Sequence, residues 1–534
     1  MAVKQRYGRN RTCVARNRVS AERSRARPRR RSLAVEPLEQ RVLLDAGGIL
    51  SGTVFNDTDR DGVFDVGESG LVDWTVELQP VGSTDTPELI LENPTPDQWS
   101  QFGRFVAAVG DNVLVGSHYD DLADEPDAGA AYLFDGTTGE VLHTLISPNP
   151  VENDKFGRAV AGFGEDLLIG APLDDTAAVD SGAVYLFDGQ TGDVLRTLLS
   201  PTGGINDQFG RAIAAVGNNI LVGARFDDSA AEDGSIEDAG AAFLFDGATG
   251  ELLQTFQSPT PAGNAQFGYS VSPMGENVLI GARYDETGAA GLGAVYLFDS
   301  ATGNLLQTFR NPTQRASGDP SGFGRSVAAV GDNVLVGARL DDSGVDGAGS
   351  AFLFDGATGV VLHVFTSPTP VGGEDFGFDV AASGDDVLVG ARWDNRWDGL
   401  NQDSGGAVYL FDAATGQLMQ TFANPSPAAW DAFGCSVAML GDRIVVGARD
   451  GNAAYVFDAI HESAVTTSAA DGSYSFTDLE PGDYRILTEG RESFSQTFPD
   501  GHGAYSVTIS DDLGHLDLDF CYVENEAPIG RNDL

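Results

Sequence analysis

Cysteine, histidine and long apolar runs are scarce in this chain of 534 residues. The three cysteines, Cys13, Cys435 and Cys521, are far apart and odd in number, so they form neither a disulfide framework nor a metal-binding cysteine cluster. The six histidines show no spacing typical of metal ligands or of a catalytic triad. No stretch of 18 apolar residues occurs, so we predict no membrane span.

Basic residues are also scarce once the first 41 residues are passed. Those residues hold 13 of the 32 lysines and arginines, whereas residues 42–534 carry 19 basic and 76 acidic side chains, a net charge of −57. An acidic body of this size repels nucleic acids and anionic membranes, and it attracts divalent cations. We therefore predict that nucleic acid is not a partner.

What the chain has in abundance is one repeated pattern. Each copy starts with Phe-Gly, runs through an apolar segment to a Gly-Ala or similar pair, passes an acidic loop and ends in an aromatic-rich strand followed by Asp. A fixed period in the range of 20–50 residues or slightly above is typical of propellers and solenoids, because one unit cannot bury its apolar face alone. The copies follow each other at intervals of 53 to 58 residues and start at Phe102, Phe156, Phe209, Phe267, Phe323, Phe376 and Phe433.

The copy that starts at Phe323 shows what one unit forms. Two Val-rich runs on either side of the Gly331-Asp332-Asn333 turn indicate a hairpin, Ser350–Phe354 a third strand and Val360–Phe365 a fourth. Four antiparallel strands make one propeller blade, and seven blades close into a ring without exposed edges. We therefore predict a seven-bladed propeller.

The last copy indicates how the ring closes. It stops at Asp458, before its fourth strand, and the missing piece lies ahead of the first copy, where Glu88–Pro96 aligns with Glu251–Pro259. We expect this N-terminal strand to complete the seventh blade, so that the propeller comprises residues 86–458.

The repeat resembles a known family. Phe156-Gly157, Gly170-Ala171-Pro172 and Gly182-Ala183-Val184-Tyr185 are similar to an FG-GAP repeat, the blade of the integrin alpha-chain propeller. The resemblance implies an interaction module. Integrin-type blades often hold calcium in an Asp-rich loop, but the corresponding segment here is a short turn such as Gly110-Asp111-Asn112, so we expect no propeller calcium site of that type.

A second motif precedes the propeller. From Asp57 the sequence matches the twelve-residue EF-hand loop, with Gly62 at the sharp turn. Such a loop supplies the oxygen ligands that calcium requires, although an acidic surface turn is the alternative. We predict calcium as a cofactor, held by Asp57, Asp59, Asp61, Val63, Asp65 and Glu68.

Strands rather than helices flank this loop. With Asp471–Phe476 and Pro481–Tyr484, the segment resembles a B-type domain of the serine-aspartate repeat surface proteins. The resemblance implies a calcium-stiffened β-sandwich that acts as a spacer, here split into residues 49–85 and 459–524. We therefore predict an all-β chain in which a seven-bladed β-propeller is inserted into a calcium-binding β-sandwich, since the neighbouring ends of a propeller suit a host loop.

The two ends of the chain carry further expectations. Residues 1–48 form a basic leader without the apolar run of a normal secretory signal. Its segment 35–46 resembles the leader of large surface proteins in planctomycete bacteria, and departs from that pattern at Val35 and Asp45. The resemblance implies an extracellular or cell-surface location in a bacterium, and residues 525–534 look like a linker to a further domain.

Paired acids recur in nearly every copy, which argues against catalysis because an active site is a single asymmetric centre. We expect them to lie on one face of the ring, either as a solvated rim or as a surface that recruits cations or a basic protein. They are Asp120-Asp121, Asp174-Asp175, Asp227-Asp228, Asp285-Glu286 and Asp341-Asp342.

Arginine also recurs, directly after Gly-Ala at the end of the second strand. We expect these side chains to pair with acids of the neighbouring loop or blade, as most such residues do. They are Arg225, Arg283, Arg339, Arg392 and Arg449.

Two classes of function stay open. We favour a non-enzymatic secreted or cell-surface binding or adhesion protein whose partner is an extracellular protein or glycan. The alternative is a non-catalytic part of a larger secreted enzyme whose catalytic domain lies beyond Leu534.

Overall fold

The described part of the chain consists of strands and turns. Within it there is no helix, and so none that could span a membrane. The predicted leader, apart from Gly48, and the predicted linker 525–534 lie outside it. The computed structural model describes residues 48–58, 63–64, 67–83, 86–95, 99–121, 125–230, 236–286, 293–313, 321–342, 345, 347–394, 405–427, 430–459, 464–479, 482–488, 494–498, 505–509 and 516–524.

The chain forms two compact units. One is built from the chain before Ser83 and after Ala459, and the other is Ser83–Ala459. The first unit opens with β1 (Gly48–Asn56), β2 (Ser69–Gly70) and β3 (Thr75–Ser83).

The second unit contains 28 strands, β4 to β31, among the described residues. They are β4 (Leu89–Glu92), β5 (Phe105–Val109), β6 (Asn112–Ser117), β7 (Ala130–Asp135), β8 (Val141–Ile146), β9 (Ala159–Phe163), β10 (Asp166–Ala171), β11 (Ala183–Phe187), β12 (Val194–Leu199), β13 (Phe209–Val216), β14 (Asn219–Ala224), β15 (Ala241–Asp246), β16 (Leu252–Gln257), β17 (Phe267–Met274), β18 (Asn277–Ala282), β19 (Ala294–Phe298), β20 (Leu305–Arg310), β21 (Val327–Val330), β22 (Asn333–Ala338), β23 (Ser350–Asp355), β24 (Val361–Phe365), β25 (Phe376–Ser383), β26 (Asp386–Ala391), β27 (Ala407–Asp412), β28 (Leu418–Ala423), β29 (Phe433–Leu440), β30 (Arg443–Ala448) and β31 (Ala453–Asp458).

These strands form a seven-bladed β-propeller. Blades one to six are the consecutive antiparallel quartets from β5–β8 to β25–β28, and the seventh is β29-β30-β31-β4. In the seventh blade β4 pairs with β31 in the register Leu91↔Ala454. The first strand of each blade packs against the first strand of the next, and β29 packs against β5. The predicted blade count and the predicted closure by the N-terminal strand are therefore confirmed.

Burial follows the order of strands within a blade. The second and third strands are buried over nearly their whole length, as in β10 and β11, because neighbouring blades cover both of their faces. The fourth strand is mostly exposed in blade two, where it is β12, whereas β28 of blade six has no exposed residue. Each apolar core lies between two blades: one cluster unites Leu168 and Leu186 of blade two with Phe209, Val222 and Phe243 of blade three. The blades are therefore held to each other by the hydrophobic effect as much as by their own ladders.

Two glycine backbones meet at every joint between blades. A Cβ atom added to Gly170, in the Gly-Ala pair of blade two, would lie 2.1 Å from the carbonyl oxygen of Gly210, in the Phe-Gly pair of blade three. The same approach closes the ring, since a Cβ atom at Gly447 would lie 1.9 Å from the carbonyl oxygen of Gly103. No real Cβ atom fits at such a distance, so the two halves of the repeat signature together make one contact between blades.

The first unit is completed by seven strands after the propeller. Strand β1 pairs with β2, β33, β37 and β38, whereas β3 pairs with β32 and β34. One apolar core unites Leu50 and Val54 of the first sheet with Trp74 and Val76 of the second. The strands are β32 (Ala464–Thr467), β33 (Ser473–Leu479), β34 (Gly482–Thr488), β35 (Phe494–Phe498), β36 (Tyr505–Ile509), β37 (Leu516–Asp517) and β38 (Phe520–Glu524).

The importance of the close backbone contact between blades seven and one can be tested by a substitution that adds a single methyl group. We expect Gly447→Ala to destabilise the propeller by roughly 1–3 kcal/mol, because the new Cβ atom overpacks a backbone contact that cannot move alone. The measurement is the denaturant-unfolding free energy of the propeller transition.

Gly263→Ala is the matched control, since a Cβ atom there would have its nearest neighbour at 3.4 Å, an ordinary contact. Neither glycine has a left-handed backbone. The control should be neutral or stabilising by about 0.4–1 kcal/mol, through the lower entropy of the unfolded chain. Equal effects of the two substitutions would show that the joint does not depend on glycine.

Candidate functional site

The first strands of the seven blades surround a central cavity of about 290 Å³. The residue after Phe-Gly lines it in six blades, and in the first blade Phe105 takes this place. Further along the same strands the lining changes to small apolar residues such as Ala107, Ala161 and Ala329. The charged lining therefore lies at one end of the ring, where it consists of Arg158, Arg211, Arg325 and Asp379, with Tyr269, Phe378 and Cys435 beside them.

The arginines after Gly-Ala stand next to this lining, because the end of the second strand pairs with the start of the first. The prediction that they pair with acids is confirmed for three of them. Arg339 Nη1 lies 2.9 Å from Asp375 Oδ1, and Arg392 Nε lies 2.8 Å from Asp375 Oδ2. Arg449 Nε lies 2.8 Å from Asp450 Oδ2.

The prediction is wrong for the other two arginines after Gly-Ala. Arg225 Nε donates to Gln208 Oε1 at 2.8 Å, and Arg283 Nη1 lies 3.5 Å from Tyr269 Oη. Among the described residues, neither of these two arginines forms an ion pair with a carboxylate. We call the nine arginines of this region the arginine cluster: Arg104, Arg158, Arg211, Arg225, Arg283, Arg325, Arg339, Arg392 and Arg449.

Aromatic rings are interleaved with the arginine cluster. The guanidinium carbon of Arg211 lies 4.9 Å from the ring centroid of Tyr269, with Arg283 at 5.3 Å. Arg325 and Arg392 each lie 3.8 Å from the ring centroid of Phe378. Such cation–π contacts contribute about 0.5–2 kcal/mol each, which offsets part of the cost of burying a cation.

The cluster perturbs the groups inside it. Burial lowers the pKa of Arg211 to about 9 and that of Arg104 to about 10, so both still carry a charge at neutral pH. Burial, followed by the charges of Arg158 and Arg104, holds the pKa of His118 well below its ordinary value. The buried Nη1 atoms of Arg104 and Arg158 have no hydrogen-bond partner among the described residues.

Tyr269 lies at the meeting point of several arginines. Arg325 Nη1 donates to its hydroxyl oxygen, and Arg211 Nη2 lies 3.3 Å from the same atom. Burial alone would raise the pKa of Tyr269, but the charges of Arg325, Arg211 and Arg283 outweigh it and hold the pKa well below the ordinary value. The centre of the ring is therefore strongly positive, inside a protein whose net charge is −47.

The expected acidic rim is only half correct, because the first acid of each pair is buried. Asp174 is 1 % exposed and accepts a hydrogen bond from Tyr185 Oη at 2.5 Å. Burial and this hydrogen bond raise the pKa of Tyr185. These first acids anchor their loops to the third strand: the same tyrosine contact occurs at Asp120 and Asp285, and also at Asp394, the single acid at the equivalent position of blade six.

The second acid of each pair is placed differently. Asp121, Asp175 and Asp228 are exposed, and each accepts a hydrogen bond from a backbone amide further along its own loop, at 2.7–2.8 Å. Their loops join the second and third strands, so they lie at the same end of the blades as the arginine cluster. That end therefore has a positive centre and exposed carboxylates around it.

Comparison with known families agrees with the repeat pattern. The family model described as the FG-GAP repeat matches residues 98–134, 142–187, 196–245, 259–298, 316–354, 366–411 and 421–457. The chain belongs to the FG-GAP repeat family. FG-GAP repeats are typical of integrin-like interaction modules. No curated protein matches the chain.

The FG-GAP signature also contains a site residue that was not predicted. Arginine follows Phe-Gly in four of the seven copies, at Arg104, Arg158, Arg211 and Arg325. That recurrence is a visible signal, but the sequence does not show that residues from different FG-GAP blades meet at one axis. Only the closed ring shows that these recurrent arginines lie close together.

The predicted calcium loop is described only in part, since Asp59, Asp61 and Asp65 lie outside the described residues. The described part brings the two ends of the loop together. Asp57 is 1 % exposed, and Thr58 N donates to Glu68 Oε1 at 2.8 Å. This arrangement suits the first and twelfth ligand positions of an EF-hand-type loop. Among the described residues alone there is no group of three or more side chains that could hold a metal ion.

The energy of the hydrogen bond between Tyr185 and the buried Asp174 can be measured by a double-mutant cycle. We expect Asp174→Asn and Tyr185→Phe to be coupled by about 1.5–3 kcal/mol, since the hydroxyl donates to a charged acceptor. The measurement is the unfolding free energy of the propeller in the parent, both single variants and the double variant.

The matched control is the cycle between Tyr185→Phe and Asp175→Asn, which changes the exposed acid of the same loop. Its coupling should be close to zero because the two side chains share no contact. A coupling that is equal in both cycles would contradict the structural role given to Asp174.

Proposed function

We propose that the protein is a non-enzymatic secreted or cell-surface binding or adhesion protein in which the propeller is the interaction module. The observation that carries this proposal is the seven-fold FG-GAP match, because this repeat is typical of interaction modules. The partner is an extracellular protein or glycan. The extracellular location of the protein and the class of its partner go beyond the family assignment.

The position of the paired acids supports a binding role over hydrolysis. A hydrolytic pair needs one carboxylate positioned on the substrate and one available to transfer a proton. Here the first acid is tied to the third strand in several blades and the second closes its own loop. Similar acidic loops in five blades around one rim suit multivalent contact, in which several weak contacts act together.

We further propose that the first unit binds calcium and acts as a stiff spacer, as a B-type domain does. Asp57 and Glu68 would supply the first and the bidentate last ligands, and Val63 a backbone carbonyl oxygen. Asp59, Asp61 and Asp65 would complete the set. The buried position of Asp57 and the hydrogen bond between Thr58 and Glu68 fit such a loop.

The role of the loop-bearing face can be tested with two variants, one that removes three negative charges from this face and one that removes three from the opposite face. We expect the triple variant Asp121→Asn, Asp175→Asn and Asp228→Asn to bind its partner at least tenfold more weakly. Asparagine keeps the oxygen that accepts the loop amide, so the ring should stay folded. The measurement is binding of the full chain to an array of extracellular proteins and polysaccharides.

The control triple is Glu140→Gln, Asp193→Asn and Glu251→Gln, which removes three exposed acids at the opposite end of the blades. It should bind like the parent. An equal loss of binding affinity in both triple variants would show that only the net charge of the protein matters. Chemical turnover of a bound ligand would contradict the non-enzymatic role.

Calcium binding makes a separate prediction for the first unit. At a calcium concentration about 100-fold above Kd, the folded state should gain roughly 2.7 kcal/mol, since the ion binds only the folded loop. Differential scanning calorimetry of the full chain with calcium and with chelator measures this gain.

Glu68→Gln should lose most of the gain because it removes the bidentate carboxylate. Glu77→Gln, an acid of the same unit outside the loop, should keep it. An unchanged melting curve on chelation of the parent would show that the loop is an acidic surface turn.

A further inference from the structure

We propose that the arginine cluster at the centre of the propeller is a binding site for one compact oxyanionic group, a carboxylate, sulfate or phosphate. The proposal does not depend on adhesion through the loop face. It concerns a different part of the ring, and it would hold for a propeller whose main partner binds elsewhere.

The first argument is the balance of charge around the cavity. Arg158, Arg211 and Arg325 line the cavity and the other six arginines of the cluster flank them; Asp375 pairs with two of the nine and Asp450 with one, and Tyr269, whose pKa these arginines lower, lies among them. One further acid, Asp379, lines the cavity, and it accepts hydrogen bonds from Ser326 Oγ and the amide of Val437. Buried cations without partners are costly, so a site with this excess favours an added anion.

The second argument is that donors are left over where the excess is greatest. The buried Nη1 atom of Arg158 and the buried Nε atom of Arg325 have no hydrogen-bond partner among the described residues. Each comes from a different blade and lines the same cavity. Charge-assisted hydrogen bonds to an oxyanion would satisfy such donors, and the planar guanidinium is well shaped for carboxylate, sulfate and phosphate oxygens.

The third argument is that an oxygen atom already sits in the middle of these arginines. Tyr269 Oη receives a hydrogen bond from Arg325 and lies within 3.5 Å of Arg211 and Arg283 nitrogens. The guanidinium nitrogens of different blades thus surround one oxygen atom, Tyr269 Oη. A ligand oxygen beside Tyr269 would meet the same set of donors.

Size and charge limit what the ligand can be. The arginine-lined end of the cavity has a volume of about 290 Å³, which lies at the lower end of the range for small-molecule pockets. The exposed carboxylates at the same end, such as Asp121 and Asp175, disfavour a long polyanion by repulsion. The site therefore suits a single anionic group on a small molecule, or on the end of a chain, rather than a stretch of nucleic acid.

The competing explanation is that the arginines only support the ring through their stacking on aromatic residues. Arg158, for example, lies 4.4 Å from the ring centroid of Phe105. Under that explanation, replacing an arginine by an apolar residue of similar length destabilises the protein. Under the proposal, it relieves an unpaired buried charge in the absence of ligand and abolishes the anion effect.

The test uses the full chain in chelator-containing buffer of fixed ionic strength, with chloride exchanged for acetate, sulfate or inorganic phosphate. We expect at least one of the three to bind in isothermal titration calorimetry and to raise the melting temperature in a saturable way. The three arms distinguish a carboxylate, a sulfate and a phosphate ligand.

Arg158→Met and Arg211→Met should each weaken that binding at least tenfold, and without the anion they should melt no lower than the parent. Arg310→Met, an exposed arginine on β20, is the control and should bind like the parent. The proposal is overturned if no oxyanion binds the parent, if the two variants keep its affinity, or if both variants fail to fold, since the arginines would then be structural.

Discussion

Every joint of the propeller rests on one close contact between two backbones, and the rest of the ring is arranged around it. The glycine of each Gly-Ala pair approaches the glycine of the next Phe-Gly pair so closely that neither position has room for a side chain. Because the contact fixes the distance between blades, the large side chains on either side can interlock, as Leu168 and Phe209 do. The two most recognisable parts of the repeat are therefore the two halves of one contact.

Variation between copies is compensated by a hydroxyl from the connector that precedes the first strand of the blade. Where the third strand offers tyrosine, as at Tyr185, its hydroxyl binds the buried acid. Blade three has Phe243 instead, and there Thr202 Oγ1 donates to Asp227 Oδ2 at 2.7 Å. A buried carboxylate without a donor is expensive, so loss of the tyrosine hydroxyl is tolerated only where another hydroxyl reaches the acid. The acid, rather than the aromatic residue, is thus the fixed element of the loop.

The parts of the structure that repeat could be predicted from the sequence, and the parts that depend on the ring could not. Blade number, strand order and closure by the strand containing Leu91 follow from local periodicity and from copy alignment, both of which are visible in one dimension. The burial of Asp174 was not predicted, because its donor lies on another strand of the blade. Likewise, Arg158 and Arg325 come from different copies, and only the closed ring shows that they share one cavity.

The distribution of charge follows from this geometry. Residues that face the axis, one from each blade, lie close together, so charges at these positions add up. Charges on the outer strands and loops are instead spread over the perimeter and screened by salt. Nine arginines are therefore enough to make the centre positive although the chain as a whole is strongly acidic. Low local dielectric strengthens the positive field at the centre, and the surrounding acids oppose it at the perimeter. The axis and the perimeter of one propeller therefore carry charge of opposite sign.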